Sequence, residues 1–91
     1  MNDDRVNRIR QLLEAELEPE LLEIVDESHL HAGHEGAKEG KGHFRVTIVS
    51  SKFLGTSPIE RHRIVYEALG DMMLNDIHAL SITALTPPTP Q

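Results

Sequence analysis

The chain has 91 residues, with 9 Lys+Arg against 15 Asp+Glu and a formal charge of -6, so it is bounded to one small domain with a compact core. Cysteine is absent, which excludes disulfides, thiolate metal sites and a cysteine nucleophile. No apolar run approaches the roughly 20 residues of a membrane helix, and Asn2-Asp3-Asp4-Arg5 does not read as a signal peptide, so the expected setting is the cytoplasm, with no membrane partner. Phe44, Phe53 and Tyr66 are the whole aromatic complement, leaving Leu, Ile and Val to build the core. The chain holds six histidines, four of them between His29 and His43, and that skew is the most informative feature of the composition.

From Asp4 to Leu17, Val6, Ile9, Leu13 and Leu17 recur at three- and four-residue steps, which predicts an amphipathic helix. Asp3 and Asp4 suit its N-terminus, and Pro19 is expected to end it. Leu21 to Ser28 reads as a strand, and His43 to Ser50 as a clearer one, with Phe44, Val46 and Ile48 on one face and Arg45 and Thr47 on the other. The stretch between them, His29 to Gly42, holds four glycines and no large apolar side chain except Leu30, so a mobile loop is expected. Phe53-Leu54-Gly55 turns the chain. Ser57-Pro58-Ile59-Glu60 then combines a capping serine, a proline at the first helical position and a glutamate that closes a capping box. The helix it opens is expected to continue to about Leu74, with Asn75-Asp76 ending it. A last strand from Ile77 to Leu85 alternates Leu80, Ile82 and Ala84 inward, and a Pro-rich segment follows.

The order helix-strand-strand-helix-strand defines a small α+β domain with a three-stranded mixed sheet, both helices on one face and a right-handed crossover. No internal repeat is present. No nucleophile elbow, phosphate loop or comparable motif supplies the activated group that a nucleophilic enzyme needs, so no enzyme is expected.

His29, His31 and His34 place three imidazoles within six residues, close enough to converge on a metal ion such as Zn, Cu, Ni or Fe. The plain alternative is a polar loop rich in histidine. By strand parity His78 falls with Leu80 and Ile82, which reads as a strand-end imidazole packed against the helices and hydrogen-bonded to a carbonyl. Arg61-His62-Arg63, joined by Lys52, is the one compact basic group, suited to a phosphate contact or to solvating a helix end. Gly33-His34-Glu35-Gly36 spells GxxG, but it lies between two strands and carries a glutamate, so it reads as coincidence rather than as a phosphate-gripping KH loop.

Several of these segments resemble the BolA family. The likeness rests on Asp26-Glu27-Ser28-His29 entering a His/Gly loop, HFRVTIVSSKFLG from His43 to Gly55, RHRIVYEAL from Arg61 to Leu69, and IHALSITALTP from Ile77 to Pro87. The resemblance implies a class II KH-like fold without a functional GxxG loop, over residues 1–86, with 87–91 as a disordered tail. It also implies a monothiol glutaredoxin partner and a bridging [2Fe-2S] cluster, shared with that partner and glutathione and not held by the isolated chain. The late histidine of the family falls on His78, and the second ligand falls in the first loop, where His31 is the best match and His34 and His29 remain open. Other members imply DNA binding and transcriptional control of stress response and cell shape, through a surface with Arg61, His62 and Arg63; the net charge weighs against it. A chain without cysteine cannot hold a [2Fe-2S] cluster alone, whereas imidazoles can complete one whose thiolates come from elsewhere. The open face of a three-stranded sheet makes a monomer or a weak homodimer the expected state.

Overall fold

The computed structural model describes residues 4–28 and 42–88. Its elements are α1 (Arg5–Leu17), β1 (Leu21–Asp26), β2 (Gly42–Val49), a 3-10 turn (Ser51–Phe53), α2 (Pro58–Leu69), α3 (Met72–Asn75) and β3 (Ile77–Leu85). The sheet runs β1-β2-β3, antiparallel between β1 and β2 and parallel between β2 and β3. That is the expected α+β arrangement, with α2 and α3 forming the crossover that parallel strands require.

One face of the sheet is covered. Ile9, Leu13 and Leu17 from α1 meet Phe44, Val46 and Ile48 from β2, Val65 and Leu69 from α2, and Phe53, Met72 and Ile77. Full burial of each such side chain stabilises by about 1.5–3 kcal/mol, and the alternation of β2 aims all three of its large residues at the helices. Arg45 on the opposite face is exposed.

The element ends show which local chemistry prevails. Glu18, the residue before Pro19, closes α1 in the left-handed conformation (φ 45°), its amide bonded to the Glu14 carbonyl, so the helix ends at Leu17 as expected. Asp4 sits at the N-cap but its side chain makes no capping hydrogen bond, contrary to expectation. β1 ends at Asp26 rather than Ser28, because the Asp26 carboxylate accepts the Ser28 amide at 2.9 Å and turns the backbone out of the ladder. The capping box is complete: Glu60 donates its amide to the Ser57 hydroxyl and returns a carboxylate oxygen to the Ser57 amide, both at 3.2 Å.

The helix expected to reach Leu74 is in fact two. Gly70 takes φ 54°, a conformation glycine enters cheaply, and α2 stops there. The short α3 follows, and Met72 remains in the core. The histidine-rich loop, including the GxxG tetrapeptide, lies outside the described residues, apart from Gly42, which opens β2. Thr86 to Pro88 have no regular structure, and the rest of the tail is outside the described residues.

A candidate metal-facing imidazole pair

The parallel ladder between β2 and β3 is regular from His43 onward and shifts just before it. Gly42 pairs with Ile77, but His43 pairs with Ala79, so His78 is an extra residue on β3. A bulge of this kind inverts side-chain parity across itself. Ile77 therefore enters the core at 2 % exposure, while His78 is exposed. The expectation that His78 packs inward with Leu80 and Ile82 is thus corrected. Its ring instead meets His43, with ring centroids 5.1 Å apart and planes inclined at 47°.

His43 is buried, at 7 % exposure, although its strand parity places it with Arg45 on the uncovered side of the sheet. Its amide donates to the Ser28 hydroxyl at 3.0 Å, and its carbonyl accepts the Glu27 amide at 2.8 Å. Those two bonds tie β2 to the residues that lead out of β1, so the entrance to the first loop is held beside the imidazoles. Glu27 pairs with Arg45 at 3.2 Å, and a shallow groove runs past Glu27, His43, Arg45, Ala79 and Ser81.

The bulge is fastened from the helix side. The Asp76 carbonyl accepts the Gly42 amide at 2.9 Å and the Arg5 guanidinium at 3.2 Å, while the Asp76 carboxylate pairs with Arg8 at 3.1 Å. Arg5 also lies over the Phe44 ring, 5.4 Å from its centroid. Two residues before His78, the chain is therefore pinned to α1.

The other candidate residues are scattered. His29, His31 and His34 lie outside the described residues. Among the described residues, no group of three or more His, Cys, Asp or Glu side chains is placed to hold a metal ion. The two imidazoles fit a centre whose remaining ligands come from elsewhere, and do not fit a cluster held by this chain alone. Arg61 is half-buried and spends its guanidinium on the Thr56 hydroxyl and the Ala84 carbonyl, docking α2 onto the end of β3. Lys52 lies 3.8 Å from Glu18. His62 and Arg63 are exposed and line a small apolar-floored depression with Ile59 and Tyr66. Two further residues carry no motif in the sequence: His43, whose one signal is its parity with Arg45, and Ser50, which is fully buried and joins the Leu17 carbonyl to the Lys52 amide.

These features define a class: a small α+β domain whose mixed sheet carries an imidazole pair at a bulge, with no helix among the described residues long and apolar enough to cross a membrane. The family described as BolA-like protein matches residues 13–89, and the chain belongs to that family. It is 49 % identical over 79 residues to BolA-like protein 1 of Mus musculus, covering 87 % of this chain and 56 % of that protein. It is 41 % identical over 78 residues to a protein of Vibrio cholerae named DNA-binding transcriptional regulator BolA, covering 86 % and 71 %. Among solved structures, the BolA domain of SufE1 from Arabidopsis thaliana superposes with a TM-score of 0.84 at 46 % identity, over 96 % of each chain. The chain spans 23 % to 56 % of the length of the plant and mouse relatives it matches.

Proposed function

We propose that this protein is a non-enzymatic, cytoplasmic adaptor of iron–sulfur or iron handling that binds a monothiol glutaredoxin and shares a bridging [2Fe-2S] cluster with it through histidine. The observation that carries the reading is the bulge at His78, which turns an imidazole out of the core and leaves it exposed beside a second one. A ligand offered to another protein's metal must be reachable yet held, and His78 meets both needs: its ring is exposed and its backbone is fastened through Asp76. The cluster, when bound, supplies iron that accepts imidazole nitrogen, while this chain's lack of cysteine leaves the thiolates to glutaredoxin and glutathione. His31 is the preferred second ligand, with His34 and His29 as alternatives from the same loop, whose entrance is tied to β2 at His43.

The test is a titration of glutathione-bound [2Fe-2S] monothiol glutaredoxin with this protein, followed by visible absorption and circular dichroism. A saturable spectral change that His78→Ala abolishes is the expected result, and His31→Ala then examines the loop ligand. A spectrum unchanged throughout would overturn the reading.

A second reading, a DNA-binding transcriptional regulator of stress response and cell shape, is favoured by the name of the Vibrio cholerae relative and by the exposure of His62 and Arg63. Arg61 is already engaged within the fold, and exposed Lys52 faces Glu18 at 3.8 Å, which leaves a small cationic surface for phosphate. A steep loss of DNA binding with added salt, reduced by Arg63→Ala, is its signature.

A further inference from the structure

We infer that His43 and His78 together form a binding site for a single divalent first-row cation, held by this chain without any partner. The argument is geometric. With zinc–nitrogen bonds of about 2.0–2.1 Å, each imidazole centroid stands about 3.2 Å from a shared ion, and a tetrahedral angle then separates two centroids by about 5.2 Å. The observed separation is 5.1 Å, with the rings tilted at 47° rather than stacked flat. In the register that holds from His43 onward, position 78 would fall opposite Gly42, on the other face from His43; the extra residue at the shift lets it share the side of the sheet that carries His43.

The surroundings suit a cation. His43 is buried and its backbone is held through its own amide and carbonyl, so the strand position that carries one ligand is set before metal arrives. His78 is exposed and supplies the route from solvent. Imidazole favours zinc, nickel, copper and iron over calcium or magnesium, and two protein nitrogens leave coordination positions for water or a further ligand. Because the site uses the His78 imidazole, a cation seated there and any other metal centre that needs this ring exclude one another.

The experiment uses zinc chloride and the full chain carrying His29→Ala, His31→Ala and His34→Ala together, so that loop histidines cannot contribute. Calorimetry should show one zinc per chain, and the ring signals of His43 and His78 should both move in NMR spectra. Adding His78→Ala, at an exposed position that leaves the fold intact, should weaken binding at least tenfold; His43→Asn should do the same where its amide spectrum shows a native fold. Absence of zinc binding in the loop-substituted chain, or binding that persists when His78 is replaced, would overturn the site. The result is independent of glutaredoxin, so failure of the cluster titration leaves it standing.

Discussion

Gly42 donates its amide to the carbonyl of Asp76 across 2.9 Å, one pair before the register shifts. A Cβ at position 42 would lie 2.6 Å from the Phe44 ring and 2.8 Å from the Ser28 hydroxyl. Gly42→Ala must therefore push either the ring that fills the core or the serine that holds His43. Overpacking of this kind costs about 1–3 kcal/mol. Chemical denaturation should show that loss, and NMR should show altered His43 and His78 ring signals.

The bulge makes an opposite prediction for two adjacent residues. Regular alternation would bury position 78 and expose position 77, whereas the structure buries Ile77 and exposes His78. Ile77→Ala should cost about 2–5 kcal/mol, as for other large-to-small core changes. His78→Ala should stay within about 0.5 kcal/mol of the parent. Urea unfolding of the two variants measures both, and equal costs would contradict the register.

Much of the fold is legible in the sequence because its signals are local. The capping box at Ser57 and Glu60 and the alternation from Ile77 to Leu85 are each contained within a few residues, and both appear where expected. The break at Gly70 was masked because Met72 and Met73 continue the apolar spacing of the helix before them. The imidazole pair was not legible for a deeper reason. A bulge belongs to two strands in register, and parity counted along one strand assigns His78 to the wrong face. Ser50 likewise resembles an ordinary strand end until the carbonyl of Leu17 is brought to it.

That serine carries its own prediction. Ser50 is fully buried, donates its hydroxyl to the Leu17 carbonyl and accepts the Lys52 amide. Ser50→Ala removes the partner of the buried Leu17 carbonyl and of the part-buried Lys52 amide, which costs about 1–3 kcal/mol. Thermal unfolding should show a lowered midpoint with the far-ultraviolet circular dichroism unchanged below it.

Arg8 and Asp76 form a surface pair, with side chains 49 % and 24 % exposed. Their coupling in a double-mutant cycle should be about 0.2–1 kcal/mol and should shrink with added salt. Asp76→Ala leaves the backbone carbonyl that Gly42 and Arg5 use, so the bulge should survive it. NMR of the histidine rings would register any failure of that expectation.

The pH dependence of α2 follows from Glu60. The Ser57 amide, then the Ser57 hydroxyl, hydrogen-bond with Glu60, and with the nearby Arg63 they hold its carboxyl below the ordinary value of 4.5. A depressed folded-state value means that the ionised form contributes stability above the unfolded value, and that the contribution is lost as pH falls through the folded one. The stability gap between the parent and Glu60→Ala should be present at pH 7 and narrow below about pH 4.5. Ser57→Ala should cost about 0.5–2 kcal/mol at neutral pH.

The parallel pairing of β2 with β3 also dictates when the imidazole pair comes into being. A hairpin neighbour such as β1 can find β2 early, but β3 reaches it only after the entire helical crossover has been laid down. During synthesis, a nascent chain still lacking β3 has His43 without its companion. Metal presented to such a chain finds His43 without His78, so the paired site is withheld until β3 has been made.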